Sequence, residues 1–131
     1  MQKVYLAGGM QNRWREQIKN ECTEFIFFCP VDKESSRTMT VEEYGTWDLH
    51  YLRQADILFC YMEKSNPSGI GLACEMGFAY GIGKTIILVL EQENQYFSDD
   101  RLSFLRRVSH ITFSKFSDGV EYLKAFNLSE K

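Results

Sequence analysis

Two apolar runs, Ile57-Leu-Phe-Cys-Tyr-Met62 and Thr85-Ile-Ile-Leu-Val-Leu90, enclose the segment Gly69-Ile-Gly-Leu-Ala-Cys-Glu-Met-Gly-Phe-Ala-Tyr-Gly-Ile-Gly-Lys84. Neither run alternates with polar residues, so each reads as a central strand buried on both faces. The segment between them opens with glycines, reads as a short helix and closes at Gly83-Lys84. Within that helix stands a lone acid, Glu75, among small and apolar neighbours. A carboxylate with no evident partner is costly to bury. Two readings follow: a helix-start acid favoured by the macrodipole, or a catalytic carboxylate held over a pocket.

The alternation of strand and helix continues in both directions. Residues 3–7 read as a first strand, followed by the turn Gly8-Gly9. Residues 13–24 carry a helical pattern with Trp14, Ile18 and Cys22 at spacings of four. Glu24-Phe-Ile-Phe-Phe-Cys29 is a second strand stopped by Pro30, and residues 31–40 are polar and irregular. Thr40 and Glu43 form a capping-box pattern for a helix running to about Gln54. Residues 63–69 and 91–100 read as loops, with a helix at 100–107, a strand at 110–113 and a helix at 117–126.

This order predicts one α/β domain over residues 1–131. Its expected architecture is a doubly wound, three-layer α/β/α arrangement around a parallel sheet of about five strands. Ligands bind such sheets beyond the carboxyl ends of the strands. Gly8-Gly9, the 63–69 loop, the start of the Glu75 helix and the 91–100 loop are therefore expected around one crevice.

Composition narrows the function classes. Of 131 residues, 44% are hydrophobic and 15% aromatic, enough for one packed core. A net charge of -3 argues against a nucleic-acid polymer or an anionic membrane as partner. Cys22, Cys29, Cys60 and Cys74 make no C-x-x-C pair, and two histidines give no zinc-ligand spacing. Cys60 and Cys74 lie in apolar surroundings and are expected to be buried thiols, which suits a reducing cytoplasm. The strand-like Val4-Tyr-Leu-Ala7 near the start predicts no secretory signal.

Each candidate motif has a plainer alternative. Gly8-Gly9 lets backbone approach a ligand closely or serves a structural turn, and no G-x-G-x-x-G follows. Gly69-x-Gly71 is no P-loop, yet free N–H groups at a helix start can hold an anion or a hydroxyl. Gly77, Gly81 and Gly83 are expected to allow close helix–sheet packing or to end the helix. Asp56 reads as a turn residue. Asp48, beside Trp47 and one turn from Leu52, is by spacing alone a solvated helix acid or a catalytic one. His50 and His110 read as structural or surface residues. Ser65, Ser68, Ser98 and Ser103 are unspecific loop hydroxyls, and Arg101, Arg106 and Arg107 a solvated helix face.

In combination these pieces resemble a known family. The ordered set is Val4-Tyr-Leu-Ala-Gly-Gly9, Trp47-Asp-Leu-His-Tyr-Leu-Arg-Gln-Ala-Asp-Ile57, Gly69-Ile-Gly-Leu-Ala-Cys-Glu-Met-Gly-Phe-Ala79 and Gly83-Lys84. It is similar to the nucleoside 2-deoxyribosyltransferases and the related 2'-deoxynucleoside 5'-monophosphate N-glycosidases. The resemblance implies a flavodoxin-like fold, with Glu75 as nucleophile, Asp48 assisting the leaving base and Tyr5 hydrogen-bonding the nucleophile. It implies a substrate site at Ala7, Gly8, Gly9, Ser68, Gly69 and Gly71. Leu102-Ser103 resembles the Leu-Ser pair that the monophosphate hydrolases take from an adjacent subunit, so a homo-oligomer with shared sites is implied.

The sequence also departs from the family pattern. Gly69 stands six residues before Glu75, where transferases often have an Asp, and Gly9-Met10-Gln11 replaces the Ser and Arg of the hydrolases' phosphate turn. The expected activity is cleavage of a nucleoside or nucleotide N-glycosidic bond, with the sugar passing to a free nucleobase or to water. That chemistry requires no metal or redox cofactor. A nucleotide-binding module that keeps the fold without turnover is the alternative from another class.

Overall fold

A computed structural model of the chain describes residues 1–10, 12–30 and 39–128. Most of the irregular stretch expected at 31–40 lies outside the described residues. Ten elements follow in order: β1 (Lys3–Gly8), α1 (Trp14–Glu21), β2 (Ile26–Phe28), α2 (Val41–Gln54), β3 (Ile57–Met62), α3 (Ile70–Gly81), β4 (Thr85–Leu90), α4 (Asp99–Arg107), β5 (Ile111–Phe113) and α5 (Phe116–Lys124). The strands form one parallel sheet in the order β2-β1-β3-β4-β5. This is the flavodoxin-like winding, whose order reverses between β1 and β3.

Side-chain alternation sorts the strand residues into two cores. Tyr5, Ala7, Leu58, Cys60, Met62, Ile86 and Leu88 face one layer, where Leu52 of α2, Leu72 and Met76 of α3 and Leu102 and Leu105 of α4 cover them. Val4, Leu6, Ile57, Phe59, Ile87 and Val89 face the other, under Trp14 and Ile18 of α1 and Val120 and Leu123 of α5. Burial on both faces accounts for the unbroken apolar runs of β3 and β4.

Several boundaries differ from the sequence expectation for local reasons. α1 stops at Glu21, short of 24, as Cys22 turns out of helical geometry at φ -122° and ψ 72°. β2 keeps three residues, an edge strand that among the described residues pairs only with β1. The Thr40–Glu43 capping box is present in both directions, fixing the start of α2. α4 begins at Asp99 because Ser98 caps it, its hydroxyl accepting from the Arg101 N–H. Asp56 ties the sheet edge, accepting from the Lys3 N–H while its own N–H donates to the Lys3 carbonyl.

The glycines of α3 divide by function. Gly83 adopts φ +81° and ends the helix, the Lys84 N–H donating to Ala79 O and the Gly83 N–H to Tyr80 O. Gly77 and Gly81 do not mediate close packing: a Cβ at either meets nothing within 4 Å. They sit on the outer side of the helix, opposite Leu72, Met76 and Ala79. The close helix–sheet contact is elsewhere, at Gly119 of α5, where a Cβ would lie 2.4 Å from Val89 Cγ2. Val89 is β-branched and stiff, so it yields little. Gly119→Ala should therefore destabilise the fold by about 1–2 kcal/mol, overpacking outweighing the gain in helix propensity. Urea unfolding checks this, and an unchanged midpoint would show that α5 can lift from the sheet without loss.

Candidate active site

At the reversal between β1 and β3 a cleft of about 490 Å³ opens beyond the carboxyl ends of the strands. Gly8, Gly9, Asp48, Ser68, Gly69, Gly71 and Glu75 all line it. Residues distant in sequence thus meet in one place, as the crevice argument requires. Tyr5 and Ala7 lie in the fully buried core on the same side of the sheet.

Glu75 sits in the second turn of α3, and the first turn holds no acid. The macrodipole benefit fades within the first turn, so the plain reading of a helix-start acid does not apply. The residue is half-buried, and its negative charge acts on the buried Cys60 thiol, the Arg15 guanidinium and the Tyr5 phenol. Asp48 reaches the cleft from α2. It lies four residues before the fully buried Leu52, which turns it to the inner side of the helix. Trp47 packs at a tilt, 4.5 Å from Tyr51, which packs at 5.0 Å on Phe28 of β2, and this aromatic chain seats α2 against the sheet edge.

The Tyr5 hydroxyl lies between the two acids. Burial pushes its pKa far above the usual tyrosine value, and Glu75 and then Asp48 push it further. Its oxygen has no partner at strict hydrogen-bond geometry among the described residues. Both carboxylates nevertheless lie close enough to hold the phenol proton in place. Tyr5 is thus a neutral phenol with two carboxylates near it.

The floor of the cleft is backbone. Gly8 adopts φ +149°, and a Cβ there would lie 2.4 Å from the Tyr61 carbonyl oxygen. At Gly9 a Cβ would press on the Asn66 side-chain nitrogen at 3.1 Å. Protein packing therefore demands glycine on the far side of the same turn that faces the cleft. The buried Asn66 accepts from the Ser68 N–H through Oδ1, an Asx turn that sets the start of α3.

Other expectations shift. Ser103 lies on α4, where its hydroxyl donates to Asp100 O at 2.6 Å, and it is absent from the cleft wall. The 91–100 loop does not line the cleft either. It buttresses the 63–66 turn, with Asn94 Nδ2 donating to Glu63 O. Pro30, Tyr44, Met10 and Leu72 complete the wall in its place. Cys74 is exposed rather than buried, because it lies on the outer side of α3. His110 is structural: Nδ1 accepts from the Ile86 N–H, leaving the ring proton on Nε2.

Two charged residues near the cleft escaped sequence reading. Arg15 is buried in its wall and donates to Leu6 O, Gly8 O and Gly9 O. Its signal was a cation in the first turn of a helix, against the macrodipole. Glu63 is buried behind Gly9 and accepts from the Asn12 side chain. Burial and then the nearby Glu91 raise its pKa, while Arg15 opposes them. Among the described residues no group of three or more His, Cys, Asp or Glu could hold a metal ion, and no helix is long and apolar enough to cross a membrane.

Residues 1–93 match the family described as nucleoside 2-deoxyribosyltransferase like. The chain belongs to this family. Membership supports glycosyl-transfer chemistry on nucleosides. Among solved structures the fold resembles a conserved protein from Enterococcus faecalis, with TM-score 0.72 and 18% identity over 95% of this chain and 98% of that one. It also resembles the CMP N-glycosidase of Clostridium botulinum, with TM-score 0.60 and 19% identity over 95% and 99%. No curated protein matches the chain in sequence.

The buried phenol gives a pH signature. Tyr5 keeps its proton in the folded state, whereas the unfolded chain loses it above about pH 10. The folded state then binds more protons, so stability falls as pH rises above about 10, by up to ~1.4 kcal/mol per pH unit for this group. Tyr5→Phe should show a correspondingly shallower decline between pH 10 and 11.5 in urea unfolding. Parallel slopes for the two proteins would mean that the phenol ionises in place.

Proposed function

We propose that the protein cleaves the N-glycosidic bond of deoxynucleosides through a covalent glycosyl-Glu75 intermediate and transfers the sugar to another base. The convergence of Asp48 and Glu75 at one cleft, with the buried Tyr5 phenol near both, carries this reading. The Glu75 carboxylate attacks the anomeric carbon as the C–N bond breaks, and the bond's electron pair leaves with the base. Asp48 supplies a proton or hydrogen bond to the departing nitrogen. An incoming base then attacks the anomeric carbon, the glycosyl ester breaks and Glu75 regains its charge. The incoming base gives up its proton to Asp48. Tyr5 steadies the Glu75 carboxylate without ionising.

Hydrolysis of a 5'-monophosphate is the second reading, with water in place of the acceptor base. It draws support from the start of α3, which has no side-chain cap and leaves backbone N–H groups toward the cleft. The fold is also that of a CMP N-glycosidase.

Incubating each deoxynucleoside and its monophosphate, with and without a second free base, separates the readings. New nucleoside that forms only with acceptor base indicates transfer; free base with sugar phosphate indicates hydrolysis. Nucleotide binding without base release from any substrate would leave only a binding module. Glu75→Ala should lower the rate at least ~10³-fold, and Asp48→Asn about 10²–10⁴-fold. Near-full activity of Glu75→Ala would overturn the nucleophile assignment.

The site is further proposed to be shared between copies of the chain. The outer side of α3 carries Ile70, Ala73, Cys74, Gly77, Tyr80 and Gly81 with no charge among them, and Ile70 is 82% exposed. Apolar residues all round a helix imply that its outer side is covered. Ser103 would then serve a neighbour's cleft. Ile70→Glu should lower the mass seen by light scattering to that of a monomer and reduce activity with it. A wild-type protein that is already monomeric would remove this part of the reading.

A further inference from the structure

Asn94 lies outside the cleft wall, yet its carboxamide ties the turn before the Glu75 helix to the loop after β4. Its Nδ2 donates to Glu63 O at 3.0 Å and to Asn66 O at 3.4 Å, and its Oδ1 accepts from the N–H groups of Tyr96 at 2.8 Å and Phe97 at 2.9 Å. A carboxamide has two N–H donors and two lone pairs, and each finds a partner here. The amide cannot be reversed, because its oxygen would then face two carbonyls and its nitrogen two N–H groups. Phe97 anchors one end of this clamp by packing against the core under α2, α3 and α4. Glu93, the residue before Asn94, adopts φ 60°, the one positive φ outside glycine among the described residues. Side chains other than glycine's rarely take that conformation, so the backbone is strained at the point that directs Asn94 toward the turn.

The other end of the clamp decides where α3 begins. Gly69, at the helix start, supplies no side-chain cap. The chain enters α3 through Asn66, whose Oδ1 accepts from the Ser68 N–H at 2.9 Å. Asn66 is 5% exposed; its N–H donates to Glu63 O at 3.1 Å and its Nδ2 approaches Met62 Sδ at 3.6 Å. The loop after β4 holds the same turn again at Lys64, whose carbonyl accepts from the Gln95 N–H at 2.8 Å and whose N–H donates to Glu91 Oε1 at 2.9 Å. Burial of Leu72, Met76 and Ala79 fixes which side of α3 faces the sheet. Apolar burial is non-directional, so the position of the helix along its own axis is left to the hydrogen-bonded turn. Glu75 follows Gly69 by six residues and inherits that position.

We propose that Asn94 is a positioning residue: from outside the cleft it clamps the 63–66 turn to the loop after β4, and so holds the start of α3 and the Glu75 carboxylate in place for attack on the anomeric carbon. The inference rests on the proposed role of Glu75 as nucleophile. Asn94 itself touches no reacting atom.

Hydrogen exchange followed by NMR, together with turnover, tests this on the full chain. In Asn94→Ala the amide hydrogens of Ser68 and Ala73, donors to Asn66 Oδ1 and Gly69 O, should exchange at least ~10-fold faster, with those of β3 unchanged. In turnover of the deoxynucleosides and their 5'-monophosphates, kcat should fall about tenfold or more with KM within a few-fold, as a displaced nucleophile requires. Asn94→Asp keeps the shape but turns an oxygen toward the two carbonyls. Its kcat relative to wild type should recover as pH falls from about 7 to about 5, because the carboxyl regains a proton to donate. If Asn94→Ala does not fold, this variant decides. Unchanged exchange at Ser68 and Ala73, or a raised KM with kcat intact, would overturn the proposal. So would a lower thermal midpoint with kcat of the folded fraction intact, or an Asn94→Asp to wild-type ratio indifferent to pH. Faster exchange without base release by wild-type protein from any substrate would sink the catalytic reading and leave the clamp on α3 standing.

Discussion

Coverage of the sheet on both faces is the constraint from which the site follows. A strand with apolar neighbours above and below has no tolerance for slippage, since a shift of one residue exchanges its two sets of side chains. In β1 this fixes Tyr5 and Ala7 toward α2 and α3, and Val4 and Leu6 toward α1 and α5. The phenol therefore meets the only layer that carries Asp48 and Glu75. The same register brings Gly8 level with Tyr61 of β3, close enough that any side chain would strike its carbonyl. Core packing and site assembly are two results of one pairing.

The buried phenol of Tyr5 lies near both acids, and burial, with Glu75 and Asp48 adding to it, holds its proton in place. Arg15 contributes positive potential from the cleft wall, with its Nε, Nη1 and Nη2 each donating to a backbone carbonyl.

Long-range order was legible in the sequence to the extent that periodicity and caps encode it. The unbroken runs at 57–62 and 85–90 gave the central strands, and Thr40 with Glu43 gave the start of α2, because each signal is local. The grouping of Glu75, Asp48 and the glycine turn followed from strand order and from resemblance to a family. What was hidden depended on three-dimensional direction. Gly77 and Gly81 look like packing glycines until the helix is seen to turn them outward, whereas Gly119, in the last helix, is the one pressed on the sheet. Asn66 was readable in principle, since Asn-Pro-Ser favours an Asx turn. The loop after β4 was assigned to the cleft by its end of the sheet alone, and its actual course over the 63–66 turn is set by Asn94, which no pattern announces.

The exposure of Cys74 has a practical side. Cys22, Cys29 and Cys60 are buried, and burial raises the thiol pKa of Cys22 and, more strongly, of Cys60. Thiolate is the form that reacts, so burial disfavours Cys22 and Cys60, and exposure singles out Cys74. The native chain therefore supplies its own address for a fluorophore or spin label, at the residue preceding Glu75 in the sequence. Because Cys74 lies on the side of α3 proposed to be covered by another copy, its rate of labelling reads that contact directly, with no cysteine engineered in or out.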